Sequence, residues 1–467
     1  MKELFDIRRI ALLGLVLPGL AGANISQAEW QRYADSLTAE PALVRFYTFK
    51  SSAAVQPDLA GSSAEMKMTL PAGAALPTAP GRIEGSLAVA LDGESFRAPV
   101  IAADSNAFSV SIWVNPAGPG VRQSGGRESG MITSSGSGYY DGWRVAVYDM
   151  AGLTPSFEIG RGQNSVGVAA KEALCRGRWN HIAATWDGAV MKIYVNGILG
   201  GSRDFAGPRQ PAKDALAVGH SGYGVGSLRL AVDEIAVFSR SLSAGQVAAL
   251  SLTAAALPAE IESALNRAAE LQQAGQAAEA GRELHKLLAA PQLPPALAAW
   301  IRVAALYTAA GAQSAERWIR QCIEIYEDPA TPLHLQGKLL ASILASCRNA
   351  TLVLPSRILE MLPAAMELTE EDKFVCAVAL ARSYAAEQKP EQAFRVFEHL
   401  IALSAGESAK HAELRLKFAQ SLRSMGRNHE AGEQYQELIR NNKQPVAVRS
   451  LAALALAQTR LAEKKYD

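Results

Sequence analysis

The residues best suited to touch a ligand lie in one short run, Gly136-Ser137-Gly138-Tyr139-Tyr140-Asp141-Gly142-Trp143. Flat rings beside a carboxylate on a glycine-rich loop suit a sugar, whose apolar face stacks on an aromatic ring while its hydroxyls hydrogen-bond. Tyr139, Tyr140, Asp141 and Trp143 are therefore candidate ligand-binding residues, and His220 and Tyr223 of His220-Ser221-Gly222-Tyr223 could form a second wall. The competing reading makes Trp143 the first residue of a core strand and the tyrosines braces of the loop, because large aromatics dominate buried cores. Covalent chemistry finds no machinery. Neither GxSxG nor HExxH occurs, and the seven histidines are scattered along the chain. No catalytic residue is assigned, and no enzymatic activity is expected. Cys175, Cys322, Cys347 and Cys376 show neither CxxC spacing nor a tight Cys/His cluster, which argues against zinc. Buried thiols in apolar helices are the simpler reading, although an oxidising compartment permits a disulfide.

The elements that position these residues must come from a chain of 467 residues, which at roughly 100 to 200 residues per domain has room for two or three cores. Hydrophobic residues make up 49% and charged residues 19%, a globular balance that excludes both a disordered polyelectrolyte and a multi-span membrane protein. The formal net charge of +1 provides no field to gather nucleic acid or anionic lipid, so a nucleic-acid partner is not expected. At the start, Lys2, Arg8 and Arg9 precede the apolar run Ile10 to Leu20, and Ala21-Gly22-Ala23 fits a signal-peptidase site. The apolar run is shorter than the roughly 20 residues of a membrane span. Residues 1–23 are thus expected to be a signal peptide. The mature protein is expected to be secreted or periplasmic without a transmembrane span, opening with a short helical leader over residues 24–39.

Composition changes near residues 251 to 257: glycine-rich β-type runs give way to Ala, Leu, Glu, Gln and Arg at helical spacing. The clearest β signal runs from Asn180 to Ile198. There Asp187-Gly188 and Asn196-Gly197 suit tight hairpin turns, and Met191, Ile193 and Val195 alternate with Lys192, Tyr194 and Asn196. The pattern predicts a three-stranded antiparallel meander. Further strands are predicted at Val44 to Phe49, Leu87 to Leu91, Phe108 to Val114, Trp143 to Tyr148, Ser156 to Gly160, Ala215 to Val218 and Leu228 to Phe238. Many short strands between Gly, Pro, Asn and Ser loops mean a two-sheet sandwich or jelly roll.

Five blocks give this region a family likeness: Gly85 to Gly93, Phe108 to Pro116, Gly177 to Ala183, Tyr194 to Gly197 and Val232 to Ser243. In order and spacing they resemble the laminin G-like, concanavalin A-like jelly-roll domains, over residues 40–251. The resemblance implies a β-sandwich that binds glycans or proteins, frequently in exported bacterial proteins and often with calcium. Asp92 and Asp233 are the carboxylates expected at a calcium site, because that ion takes several oxygen ligands; for Asp92-Gly93 the rival use is turn stabilisation. A glycosidase on this fold would use two carboxylates flanking the scissile bond, typically as Glu-x-Asp-x-x-Glu on one strand. Nothing matches, and strand alternation should send the adjacent Asp233 and Glu234 to opposite faces. Trp113, Trp179 and Trp186 fall within the family-like region and are read as core.

Beyond residue 259, Ala381 with Ala393, Phe397 and Leu400 is repeated as Ala419 with Ala431, Tyr435 and Leu438, thirty-eight residues on. Leu271, Ala280, Leu284 and Leu287 fit the same frame, with Gly275 at the turn that Gly426 occupies later. This resembles tetratricopeptide-like helical hairpins with lengthened loops. Residues 455–467 read as the first helix of a further hairpin that stops short of its partner, as in a fragment of a longer chain.

The predicted organisation is a multidomain β plus α protein: an antiparallel β-sandwich of jelly-roll type over 40–251, a linker at 252–258 and an α-helical hairpin solenoid over 259–467. The expected function is that of an exported, non-catalytic binding or scaffold protein. Its sandwich would recognise a glycan or an extracytoplasmic protein, with structural calcium as an option, and its helices a protein partner. The alternatives are a carbohydrate-active enzyme, which convergent buried carboxylates would favour, and an envelope assembly component without a small ligand, which buried loop aromatics would favour.

Overall fold

The computed structural model describes residues 25–49, 53–68, 76–83, 85–91, 95–101, 106–117, 128–135, 140–149, 153–213, 215–219, 229–290, 293–309, 314–349, 352–403, 408–441 and 444–462. The proposed signal peptide, Asp92, Tyr139, His220 and Tyr223 lie outside them. Two compact units divide the described residues, 25–343 and 344–462.

In the first unit, helix α1 (Gln27–Thr38) starts at a capping box, in which Ser26 accepts from the Glu29 N–H and Glu29 accepts from the Ser26 N–H. The helix falls within residues 24–39. Strands follow in chain order: β1 (Leu43–Tyr47), β2 (Val55–Gln56), β3 (Met66–Met68), β4 (Thr78–Pro80), β5 (Leu87–Leu91), β6 (Phe96–Ala98), β7 (Phe108–Pro116), β8 (Glu128–Ser134), β9 (Trp143–Asp149), β10 (Leu153–Gly160), β11 (Ser165–Ala169), β12 (Asn180–Trp186), β13 (Val190–Val195), β14 (Ile198–Asp204), β15 (Leu216–Val218) and β16 (Leu230–Phe238). They form two antiparallel sheets. One runs β14-β13-β12-β7-β16-β5-β4 with β1 also on β16, and the other runs β11-β10-β9-β8-β15-β6-β3-β2. The predicted meander is β12-β13-β14, and its turn residues Gly188, Asn196 and Gly197 all take positive φ.

Alternation fills the space between the sheets. Val110, Ile112 and Val114 of β7, Ile182, Ala184 and Trp186 of β12, and Leu230, Val232, Ile235 and Val237 of β16 enter one core with Phe157, Met131 and Trp143. The first sheet is also covered on its outer face. Trp30, Tyr33 and Leu37 of α1 pack on Phe46 and Phe238, together with Val247 and Leu250 of α2 (Ala244–Ser251). This second layer explains why every residue of β16 is buried.

Helices α3 (Ala259–Gln273), α4 (Ala277–Leu287), α5 (Pro295–Thr308), α6 (Ala315–Tyr326) and α7 (Leu333–Cys347) continue the chain, with α3 on α4 and α4 on α5. The expected division at 252–258 differs from the observed one at Ile343, and the meander's last turn shows why. Trp300 of α5 donates Nε1–H to the Asn196 carbonyl (3.0 Å), Asn196 Nδ2 donates to the His334 carbonyl (3.1 Å), and Gln272 of α3 donates to the Leu199 carbonyl (3.2 Å). A Cβ at Gly197 would fall 2.3 Å from Ser251 Oγ and 2.9 Å from Trp300 Nε1, so only glycine fits this turn against the helices. Lys338 of α7, fully buried, faces Glu172 and lies 4.2 Å from the Tyr307 ring.

In the second unit, α8 (Ser356–Ala365), α9 (Glu370–Ala386), α10 (Pro390–Leu403), α11 (Ser408–Ser424), α12 (Asn428–Arg440) and α13 (Val446–Ala462) pack in sequence, α9 on α10, α11 on α12 and α12 on α13. Ala381, Ala393, Phe397, Leu400, Ala419, Ala431, Tyr435 and Leu438 are all buried. Helices α9 and α11 end alike: the Lys389 N–H reaches the Tyr384 carbonyl and the Arg427 N–H the Leu422 carbonyl, around Gln388 (φ 57°) and Gly426 (φ 76°). In the first unit α3 ends the same way at Gly275.

Candidate functional site

Among the described residues, carboxylates and aromatic rings come together at the β16 bulge and at the Tyr140 rim. The first lies on the outer face of the β7-β16 sheet. Alternation along β16 breaks after Asp233, where the register against β7 shifts and Glu234 takes a φ of 49°. Val232 and Ile235 both face the inner core while Asp233 and Glu234 both reach Arg82, so the expectation that the two carboxylates point to opposite faces is corrected by a β-bulge. The bulge sits where β16 changes neighbour, from β5 along Leu230–Val232 to β1 along Ile235–Phe238.

Arg82, just past β4, fills that seam. Its Nη2 donates to both Glu234 oxygens (2.7 and 2.6 Å), its Nη1 to Thr253 Oγ1 (2.9 Å) and its backbone N–H to Asp233 Oδ2 (3.3 Å). Trp30 Nε1 donates to Glu234 as well, and the guanidinium lies 4.5 Å from the centre of the Trp113 ring. Burial alone would lower the Arg82 pKa, but Glu234 and Asp233 outweigh it and the net shift is upward. Burial drives the Tyr33 phenol upward, with Glu234 adding to it.

Across β7 the row continues. Trp113 is paired with His181 of β12 and stacks edge-on with His334 at the start of α7, ring centres 5.1 and 5.3 Å away. His181 Nε2 is 2.8 Å from Ser111 Oγ. Burial, then His334 and Arg82, hold the His181 pKa well below the usual imidazole range, and burial and Arg82 push His334 down to about 3. Both rings are therefore neutral at pH 7. Beside them opens a cavity of about 430 Å³ lined in part by Ile25, Tyr33, Arg82, Trp113, Trp179 and His334. Of the three tryptophans read as core, Trp186 enters the inner core, Trp113 is buried on the outer face, and Trp179 is only partly buried on this cavity.

The second place is the expected ligand loop. Tyr140 is 48% exposed and Asp141 half-buried, with Ser135 Oγ 3.5 Å from its Oδ1. Their backbone is held: Gly142 N–H donates to the Gln210 carbonyl (2.8 Å), and Gly162 N–H to that of Tyr140 (2.6 Å). Trp143 does not join them. It is 4% exposed and packs against Phe108 at 5.8 Å in the inner core, as β9's first inward residue, so its assignment to the ligand surface is corrected. The other carboxylate expected at calcium, Asp233, lies in the Arg82 cluster rather than on an oxygen-rich loop. Among the described residues no group of three or more His, Cys, Asp or Glu side chains could hold a metal ion. Arg82, Trp30 and His334 were not among the expected site residues, and no motif marks them: a left-handed Glu within a strand has no sequence signature comparable to Asn-Gly.

Residues 92–248 match the family model of the Concanavalin A-like lectin/glucanases superfamily. A search of curated proteins gives no match. Among solved structures, the chain is similar to domain 4 of AbnA, a GH43 extracellular arabinanase from Geobacillus stearothermophilus in complex with arabinotriose, at 20% identity over 45% of this chain and 98% of that one, TM-score 0.36. It is also similar to the botulinum neurotoxin serotype D ligand binding domain in complex with N-acetylneuraminic acid (14%, 47% and 52%, 0.36) and to the binding domain of Paraclostridial Mosquitocidal Protein 1 (16%, 47% and 52%, 0.36). The chain spans about half the length of the last two. No helix among the described residues is long and apolar enough to cross a membrane.

Proposed function

We propose that the protein is an exported, non-catalytic binding or scaffold protein, whose sandwich recognises a glycan or protein ligand at the Tyr140 rim and whose helical hairpins, tetratricopeptide-like in pattern, engage a protein partner. The observation that carries the reading is Tyr140: a large ring, 48% exposed, beside a carboxylate, on backbone fixed from two sides. An ordered exposed ring costs little entropy to place against a sugar or an apolar side chain. The family model's description names both lectins and glucanases, and its lectin half agrees with such a role. The absence of catalysis is supported by Asp233 and Glu234: they converge, as an enzyme's pair would, but Arg82, Trp30 and burial occupy them.

A reading without a small ligand gains from the burial of Trp143. A glycan array probed with the purified chain, once with calcium and once with a chelator, tests the proposal and the calcium option together. Binding that Tyr140→Ala weakens supports the lectin arm; a wild-type chain that binds no glycan leaves only the protein-scaffold arm.

A further inference from the structure

All four cysteines are buried and none is in a disulfide, and two of them lie on neighbouring helical segments. Cys347 closes α7 and Cys376 lies in α9, within the same compact unit. The two segments are pinned together on both sides of the thiols. Arg348, next to Cys347, donates Nη2 to Asp372 Oδ1 at 2.8 Å, and Asp372 sits one turn before Cys376 on the same helix face. On the far side, Arg382 donates to the Leu352 carbonyl at 2.8 Å and to the Asn349 carbonyl at 3.5 Å. Between these clamps lie the Cys347 and Cys376 side chains, close enough that Cys347 is the largest influence on the Cys376 thiol. Cys376 is wholly buried and Cys347 is 5% exposed.

We propose that Cys347 and Cys376 are a disulfide-forming pair that crosslinks the end of α7 to α9. The oxidant is a disulfide, either a small molecule or an oxidoreductase. The Cys347 thiolate attacks one oxidant sulfur and releases the other as a thiol, giving a mixed disulfide. The Cys376 sulfur then attacks the Cys347 sulfur and expels the second thiol. Two protein thiols lose two electrons and two protons, and one oxidant disulfide becomes two thiols. Both thiols are buried in the folded chain, Cys347 the less completely, so the exchange starts at Cys347 and the bond forms most readily before the helices close. The loop that it closes is roughly 30 residues long, and the crosslink removes conformations from the unfolded chain. An oxidising compartment, where the proposed export would deliver the chain, supplies such oxidants, but the inference rests on the two helices alone.

The test refolds the full chain from reduced, denatured material in a buffer of oxidised and reduced glutathione, so that burial hides no thiol, then alkylates and maps the peptides. We expect two of the four thiols to be lost, one crosslinked peptide pair joining Cys347 to Cys376, alkylated Cys175 and Cys322, and an upward shift of the melting temperature that a reductant reverses. Cys347→Ser should keep all remaining thiols free, whereas Cys322→Ser should leave the crosslink intact. Because the wild-type map needs no variant, a variant that misfolds does not blunt the test. Four free thiols in the refolded native chain, or a crosslink joining other cysteines, would overturn the proposal.

Discussion

The bulge of β16 and the rim at Tyr140 each set carboxylate against aromatic ring, yet they stand at opposite ends of the solvation scale. At the bulge Asp233, Glu234, Arg82, Trp113 and Trp30 are all close to fully buried, and each charge faces an opposite charge already in the fold. At the rim the ring of Tyr140 stands in solvent while the backbone beneath it is held. A carboxylate taken out of water needs a resident partner, and that partner fills the positions a substrate would use. An exposed ring has made no such commitment.

The strongest way to break the contrast is Arg82→Met. It leaves two carboxylates buried without their cation and should cost about 3–5 kcal/mol in denaturant unfolding; a loss below about 1 kcal/mol would show that water reaches the bulge. Trp143→Ala, in the inner core, should cost a similar 3–5 kcal/mol, which separates this residue from its neighbour on the rim.

The His334 pKa is depressed to about 3 from an ordinary 6.5, so between these values the unfolded chain binds a proton that the folded chain refuses. Stability is complete above pH 6.5 and falls as the pH drops toward 3, and His181, also held low, acts in the same direction. His334→Gln should flatten part of that decline in melts recorded across the window. A smaller effect is expected from Gln388→Gly. Gln388 holds a left-handed position that glycine takes after α3 and α11, and the change should stabilise the second unit by about 1 kcal/mol.

Much of the architecture is legible in the residues. Asp187-Gly188 and Asn196-Gly197 announce the β12-β13-β14 meander because their backbones accept positive φ, and Leu87 to Leu91 is observed with the predicted bounds. Short strands such as β2 and β6 have too few residues for alternation to show. The bulge at Glu234 is invisible for another reason: a charged residue held left-handed contradicts local preference and is tolerated because Arg82 and Trp30 bind it from elsewhere in the chain. The seam between sandwich and first helices is likewise hidden, since Asn196 reads as a hairpin residue and its bond to His334 spans 138 positions. At the candidate rim, the sequence groups Tyr140 with Trp143, and only the strand's facing sends one ring to solvent and the other to the core.

Whether the Tyr140 rim is a recognition surface is decided by measuring ligand affinity and melting temperature for the wild type and Tyr140→Ala side by side, using the glycan or protein that the intact chain captures. Binding should weaken by about 1 kcal/mol or more with stability changed by less than about 0.5 kcal/mol, because a ring exposed to water contributes to the complex and hardly to the fold. Unchanged affinity, or a fall in stability comparable to that of Trp143→Ala, would contradict it.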